Sequence, residues 1–220
     1  MKVTAAAIAV FLTALVAAGQ TFQLQSTDGL ELLNVKADIV TYRGRKAVHL
    51  VENVKEGTSG DAIAIIRGTD FRDGVIEAEI AGVPAAGAAE GARGFVGIAF
   101  RVKDISHYEA FYLRPTNGRA EDQLRRNHST QYISHPDYPW HRLRRENPGV
   151  YESYVDLVPG EWTKIRVVVS GNEARLFVHG SEQPVLIVKD LKHGQSNGRI
   201  ALWIGSGTEA WFSSVTVKGK

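Results

Sequence analysis

Short segments in which apolar and polar residues alternate recur along this 220-residue chain, and turn-forming residues separate them. A period of two residues is typical of half-buried β-strands, whereas no window carries the 3.6-residue period of an amphipathic helix. The pattern predicts strands over residues 38–42, 47–52, 62–67, 74–80, 95–102, 108–114, 151–157, 162–169, 174–179, 185–188, 199–204 and 210–217. Many short strands joined by tight turns predict an all-β fold, a two-sheet antiparallel jelly-roll sandwich.

The composition agrees with a folded sandwich and excludes several kinds of site. Hydrophobic residues make up 44% of the chain, which is enough to form a core. Because neither a repeat nor a second compositional regime is visible, we expect one domain over residues 20–220. The sequence has no Cys, so disulfides, thiolate metal sites and a cysteine nucleophile are excluded.

The N-terminus has the pattern of an export signal. Lys2 precedes an apolar run over residues 3–18, and small residues follow it up to Gly19. We therefore expect a signal peptide over residues 1–19 and a secreted or periplasmic protein, most typically of a bacterial envelope. The alternative is an uncleaved membrane anchor, although the run is shorter than the roughly 20 residues of a membrane span. No other segment is long and apolar enough to span a membrane.

Basic residues are concentrated in one segment although the formal net charge is only +2. The stretch from Arg114 to Arg145 has seven Arg and three His against three acidic residues. It overlaps a long insertion, residues 115–150, that breaks the strand rhythm and is also rich in Tyr and Trp. A loop of this length in a compact domain is usually functional. The low net charge argues against a nucleic-acid partner.

Strand alternation predicts an outward face that the insertion covers. On residues 95–102, Val96, Ile98 and Phe100 suit the core, which leaves Arg101 on the other side. If the strands at 74–80, 95–102 and 108–114 are neighbours, their outward side chains and the insertion form one patch. Tyr and Trp rings pack against sugars, and Arg donates to hydroxyl or carboxylate oxygens. The predicted carbohydrate-binding residues are Arg101, Tyr108, Tyr112, Arg114, Arg125, Arg126, His128, Tyr132, His135, Trp140 and His141.

Three residues are candidates for acid–base catalysis. Glu77 and Glu79 are two positions apart on a strand, so their Cα atoms are about 6.6 Å apart, and glycoside hydrolysis uses paired carboxylates at such separations. His128 is the third candidate.

The spacing of His135, Asp137 and His141 is not a zinc signature. We expect no metal and no cofactor. Trp140 has a second interpretation, as a buried plug that fixes the insertion to the sandwich.

Several segments resemble the concanavalin A-like lectin/glucanase superfamily. They are residues 71–80, 94–101, 160–169, 174–178, 198–205 and 212–217. Among its members, the chain is similar to 3-keto-disaccharide hydrolase-like domains and laminin G-like modules of exported bacterial proteins. The resemblance implies a two-sheet jelly roll with a concave face. The Glu-x-Asp-x-Glu signature of family-16 glucanases is absent, since the chain has Glu77-Ala78-Glu79.

Three functions remain open from the sequence. The first is a secreted carbohydrate-binding, lectin-like domain that recognises a glycan on its concave face. The second is an enzyme, a glycoside hydrolase of the 3-keto-disaccharide hydrolase-like type. The third is an envelope protein-interaction module in which the Arg-rich insertion meets an acidic partner. The sequence does not predict the oligomeric state.

Overall fold

A computed structural model describes residues 19–53 and 61–219. The predicted signal peptide therefore lies outside the described residues except for Gly19. None of the helices in the described part of the chain has the length and apolar character to cross a membrane.

Alternating segments form strands throughout the described chain. In chain order they are β1 (Gln20–Gln23), β2 (Leu30–Leu33), β3 (Val35–Tyr42), β4 (Arg45–Glu52), β5 (Ala62–Phe71), β6 (Gly74–Pro84), β7 (Val96–Asp104), β8 (His107–Leu113), β9 (Thr130–His135), β10 (Glu152–Ser153), β11 (Thr163–Ser170), β12 (Glu173–Val178), β13 (Leu186–Val188), β14 (Gly198–Ile204) and β15 (Thr208–Gly219). The helical elements are a 3₁₀ turn (Pro115–Asn117), α1 (Gln123–Arg126) and α2 (Trp140–Glu146).

The strands pair into two antiparallel sheets. The eight-stranded sheet has the order β13-β12-β11-β6-β15-β4-β3, and β1 also pairs with β15. The seven-stranded sheet has the order β10-β9-β8-β7-β14-β5-β2. Strands that are distant in sequence are therefore neighbours in both sheets, as β14 is between β7 and β5. This architecture confirms the predicted two-sheet antiparallel sandwich.

The main core lies between the two sheets and follows the predicted alternation. Val96, Ile98 and Phe100 of β7 point inward and are buried, and Val167 of β11 and Phe212 of β15 belong to the same cluster from the other sheet. Each fully buried side chain of this size contributes about 1.5–3 kcal/mol relative to its exposed state. Inward apolar positions on both sheets thus hold the sandwich together.

The segment 115–150 is more regular than the expected long loop. It contains β9, which extends the seven-stranded sheet by pairing with β8, and the two short helices. The alternation of β9 is hard to see because Thr130, Gln131 and Ser134 are polar yet buried. Of the strand predicted at 151–157, only β10 forms.

A β-bulge reverses the predicted orientation of Arg101. The β7–β8 register shifts between Phe100 and Asp104, and Arg101 has a φ of 53°. An extra residue at a bulge breaks the alternation, so the side chain turns inward. Arg101 has 0% exposure and its Nη1 lies 3.3 Å from the buried carboxylate of Glu109. The predicted outward position of Arg101 is therefore wrong.

Candidate functional site

The outer face of the seven-stranded sheet carries a second apolar cluster. Tyr108 and Tyr112 of β8 belong to it, as the alternation predicts, together with Ile133 of β9 and Trp203 of β14. The Tyr112 and Trp203 rings stack with centroids 4.6 Å apart, and Trp203 Nε1 donates to Tyr108 Oη at 2.9 Å. These contacts form a fixed aromatic floor on this side of the sheet.

Two cavities lie next to each other on this face. We call the first, of about 380 Å³, the arginine cavity; it is lined by Gly91, Arg93, Phe95, Arg114, Asn117, Asp122, Leu124, Arg125, His128, Trp140 and Arg144. We call the second, of about 330 Å³, the aromatic cavity; it is lined by Asp61, Phe95, Tyr112, Ile133, His135, Pro139, Trp140, His141, Trp203, Gly205 and Ser206. Phe95 and Trp140 line both, so the cavities form one cleft.

Arg114 is held rigidly at the floor of the arginine cavity. Its side chain is only 5% exposed. Its Nη2 donates to Tyr112 Oη at 2.8 Å and to Gln131 Oε1 at 3.1 Å, and its Nη1 donates to the carbonyl oxygen of His128 at 3.1 Å. A guanidinium fixed by three acceptors loses little entropy when a ligand binds.

Glu152 lies beneath the same cavity and connects three of its basic groups. Arg144 Nε and Nη2 donate to its two carboxylate oxygens at 2.9 and 2.7 Å. Arg114 Nη1 lies 3.5 Å from Oε2, and His128 Nε2 lies 3.2 Å from Oε1. The carboxylate is 2% exposed. Glu152 thus fixes the side of the cavity that α2 provides.

Two further arginines line the cavity without a carboxylate partner among the described residues. Arg125 Nε donates to Asn117 Oδ1 at 3.0 Å, and its Nη2 donates to Thr116 Oγ1 at 3.3 Å. Arg93 donates to the carbonyl oxygens of Ala92, at 2.9 Å, and of Glu90. Burial lowers the pKa of Arg93, and the adjacent Arg125 and Arg114 contribute in the same direction. The positive charges therefore repel one another across the cavity.

Two histidines of the cleft, His128 and His135, have a lowered pKa that favours the neutral imidazole. Burial lowers the pKa of His128; Glu152 opposes this effect, and Arg144 and Arg114 reinforce it. Burial also lowers the pKa of His135, with an opposing effect of Asp61. A neutral imidazole has one donor and one acceptor nitrogen, which suits hydroxyl groups.

The structure brings together seven of the predicted binding residues and separates the rest. Tyr112, Arg114, Arg125, His128, His135, Trp140 and His141 line the cleft. Four others do not line either cavity. Arg101 and Tyr132 are buried with Glu109, to which Tyr132 Oη donates at 2.5 Å. Tyr108 lies in the floor below Trp203, and Arg126 donates to Tyr154 Oη at 3.0 Å.

The two glutamates that the sequence nominated for catalysis lie far from the cleft. Their strand, β6, belongs to the eight-stranded sheet, so the assumption that it neighbours β7 and β8 is wrong. Glu77 lies 3.5 Å from Lys164 Nζ, and Glu79 pairs with Arg45. Of the three catalytic candidates, only His128 lines the cleft.

Sequence reasoning missed several lining residues. Phe95 lies on the same side of its strand as Gly97, away from the core, and Trp203 lies on the opposite side of its strand from Leu202. Strand alternation therefore indicates that both aromatic side chains face outward. Arg93 lies in a segment rich in Ala and Gly that carries no strand pattern. Glu152 depends on the tertiary contact with α2, for which the sequence has no local signal.

No protein-family model matches the chain, and no curated protein matches its sequence. Solved structures do match. The carbohydrate-binding module CBM66 from Bacillus subtilis has 13% identity over 84% of this chain and 92% of its own, with a TM-score of 0.56. The Bacillus licheniformis β-glucanase has 12% identity over 92% and 98%, with a TM-score of 0.50. The exoplasmic/lumenal domain of VIP36, in a Ca²⁺/Man3GlcNAc-bound form, has 9% identity over 90% and 86%, with a TM-score of 0.53.

The chain is similar to these proteins in its fold. They confirm the jelly-roll sandwich and the expected resemblance to concanavalin A-like proteins. A fold of this kind carries many functions, so function has to be argued from the cleft.

Proposed function

We propose that the chain is a carbohydrate-binding, lectin-like protein that holds a glycan in the cleft on the outer face of its seven-stranded sheet. The observation that carries this proposal is the position of Trp140. Trp140 is 45% exposed and lines both cavities, so it offers an apolar surface where the arginine cavity meets the aromatic cavity. The C–H face of a pyranose ring packs against such a surface.

The polar groups around Trp140 suit the other faces of a sugar. Arg114 and Arg125 present guanidinium donors, and His128, His135 and His141 add imidazole nitrogens from both cavities. Ligand sites of this kind combine an apolar contact with a few fixed polar groups that orient the ligand. The solved structures named as a carbohydrate-binding module and as a lumenal domain bound to Man3GlcNAc support the proposal by analogy of fold.

We extend the proposal to the whole chain. Residues 20–220 form one binding domain, which is secreted or periplasmic after removal of residues 1–19. N-terminal sequencing of the protein recovered from the producing cells tests this part. A mature N-terminus at residue 20 supports export, whereas an intact Met1 contradicts cleavage.

A glycan array followed by calorimetry tests the binding proposal. Trp140→Ala is expected to weaken the affinity for the best glycan about tenfold or more, as truncation of a central aromatic anchor does. Tyr154→Ala is the matched control, because Tyr154 is 41% exposed and lies outside both cavities. We expect its affinity to stay within about twofold of wild type. Absence of any glycan ligand, or equal losses in both variants, contradicts the proposal.

A second candidate, glycoside hydrolysis, rests on one contact. The neutral imidazole of His128 lies 3.2 Å from Glu152 at the wall of the arginine cavity, where it is able to accept a proton from water. Chromatography of ordinary and 3-keto disaccharides incubated with wild type and His128→Ala tests it. Cleavage that the variant abolishes supports hydrolysis; an unchanged substrate profile with wild type rules it out.

A further inference from the structure

The arginine cavity has more positive than negative charge among its described residues. Arg93, Arg114, Arg125 and Arg144 line it, whereas its acidic groups are Asp122 at the wall and Glu152 beneath. With neutral His128, four positive and two negative charges leave an excess of two positive charges. This excess is concentrated in a cavity of about 380 Å³.

Both carboxylates are already engaged by the protein. Asp122 is the N-cap of α1, and its Oδ1 accepts a hydrogen bond from the backbone N–H of Arg125 at 2.6 Å. Glu152 accepts from Arg144 and lies within 3.5 Å of Arg114. Arg93 and Arg125 form no ion pair with any described carboxylate. The uncompensated charge is therefore carried by these two guanidinium groups.

The donors around the cavity are arranged before any ligand arrives. Arg114 is nearly fully buried and donates to Tyr112 and Gln131, so its position is set by the floor of the cleft. Planar guanidinium groups recognise carboxylate and sulfate oxygens by paired, charge-assisted hydrogen bonds. An anion placed here offsets the mutual repulsion of Arg93, Arg125 and Arg114.

The two cavities differ in charge across Trp140. Of the described residues that line the aromatic cavity, Asp61 is the only acidic one, and none is an Arg or Lys. The Arg114 and Arg144 guanidinium carbons lie 5.8 and 4.8 Å from the Trp140 ring centre on the arginine side. The two ends of a ligand that spans Trp140 thus meet different charge environments.

We propose that the arginine cavity binds the anionic substituent of an acidic saccharide, a carboxylate or a sulfate ester, while a neighbouring neutral sugar unit occupies the aromatic cavity. This inference rests on the proposed carbohydrate-binding function and specifies its ligand class. Trp140 supports the ring between the two ends. The charge difference between the two cavities then determines in which direction the oligosaccharide lies along the cleft.

Calorimetry with three oligosaccharides of equal length tests the inference: one neutral, one containing uronic acid and one sulfated. Inorganic sulfate is the fourth probe. We expect at least one acidic oligosaccharide to bind tenfold or more tightly than the neutral one. Whichever acidic form binds more tightly identifies carboxylate or sulfate as the recognised group. The affinity of that ligand is expected to fall as salt rises, because exposed charges are screened.

Arg93→Met and Arg125→Met are the diagnostic variants, and Arg126→Met is the matched control. Arg126 is adjacent to Arg125 in sequence but points to Tyr154 and does not line either cavity. We expect a tenfold or greater loss of acidic-ligand affinity in the first two variants and less than a twofold change in the control. Circular dichroism checks that each variant is folded; the salt dependence of the wild type tests the charge argument without any variant.

The results distinguish failure of the anionic ligand class from failure of the proposed carbohydrate-binding function. If the neutral oligosaccharide binds as tightly as the acidic ones, the anionic ligand class is overturned and the carbohydrate-binding function stands. If inorganic sulfate binds as tightly as the sulfated oligosaccharide, the saccharide part of this inference is overturned. If none of the oligosaccharides and no glycan on the array binds, the proposed function itself fails.

Discussion

Arg144 holds Glu152 through two parallel hydrogen bonds, from Nε to Oε1 at 2.9 Å and from Nη2 to Oε2 at 2.7 Å. The pair joins α2 to the two-residue strand β10 at the edge of the seven-stranded sheet. Because Trp140 is the first residue of α2, this contact also determines where the Trp140 ring lies over the cleft. The buried carboxylate thus links the stability of the sheet edge to the shape of the site.

Replacement of Glu152 by Ala is expected to lower the free energy of unfolding by about 3 kcal/mol. That is the lower end of the range for breaking a buried ion pair, since Arg114 keeps the neutral acceptors Tyr112 and Gln131. Urea denaturation measures the change. The control is Glu146→Ala, which removes an exposed pair with Arg142 and is expected to leave the free energy of unfolding nearly unchanged. Equal losses would show that Glu152 contributes no more than a surface acid.

Gly97→Ala is expected to destabilise the protein by about 1–3 kcal/mol and to weaken glycan binding. A Cβ at this position would lie 2.2 Å from the carbonyl oxygen of Phe111 and 2.6 Å from the Cα of Tyr112. The β7–β8 contact has to open, which moves Tyr112 in the floor of the aromatic cavity. Thermal unfolding and calorimetry measure the two effects.

Gly29→Ala is the matched control for Gly97. Apart from its neighbours in the chain, no atom lies within 4 Å of a Cβ placed at Gly29. Its stability is expected to stay unchanged or rise by up to about 1 kcal/mol, because Ala restricts the unfolded chain. A Gly97 variant with wild-type stability would refute the close approach of the two strands.

Arg101→Met is expected to cost about 3–5 kcal/mol, because it leaves the buried Glu109 carboxylate without its cation. The guanidinium also donates to three backbone carbonyls, those of Arg72, Gly171 and Gly194. Chemical denaturation measures the loss, with the exposed Arg175→Met as control. If glycan affinity per folded molecule also fell in Arg101→Met, the assignment of Arg101 to the interior would need revision.

The free energy of unfolding is expected to fall as the pH drops below about 6.5, the ordinary pKa of histidine. Burial lowers the pKa of His135 in the folded chain, with Asp61 opposing and His141 and His193 adding to the effect. The unfolded chain therefore binds more protons than the folded chain in the window below 6.5, so stability is lost there. His135→Gln should flatten this slope between pH 7 and 5; an unchanged slope in the variant would show that another group is responsible.

Affinity for an acidic saccharide is expected to rise as the pH falls through the lowered pKa of His128. Protonation adds a positive charge to a cavity that already contains Arg114 and Arg144. Calorimetry at pH 7.5 and 5.5 measures the change with a sulfated ligand, whose charge is constant over this range. His128→Gln should remove the pH dependence; if it persists there, another group is responsible.

Much of the fold was predictable from local pattern. Alternation identified the strands and the faces of Tyr108, Tyr112 and Ile98, because a two-residue period reports directly which side of a sheet a residue occupies. Strand partners were not predictable in the same way. Alternation correctly places Glu77 on an outward face of its strand. However, the pairing of β6 with β11 and β15 depends on contacts between residues far apart in the chain.

The candidate site was predicted in part for related reasons. The concentration of Arg, His and aromatic residues in 115–150 led to Arg125, His128 and Trp140, which line the cleft. The bulge at Arg101 changes one residue's orientation without a Gly or Pro to mark it. Glu152 has a role only because three basic side chains converge on it in space.

The four arginines of the cavity come from separate parts of the chain. Arg93 precedes β7, Arg114 follows β8, Arg125 lies in α1 and Arg144 lies in α2. The four donors converge only when β7, β8 and the two short helices are folded together, so occupancy of the cavity is thermodynamically coupled to folding of the sheet. A ligand at a hundred times its dissociation constant adds about 2.7 kcal/mol to that folding equilibrium. Occupied molecules therefore open less often to proteases than empty ones do.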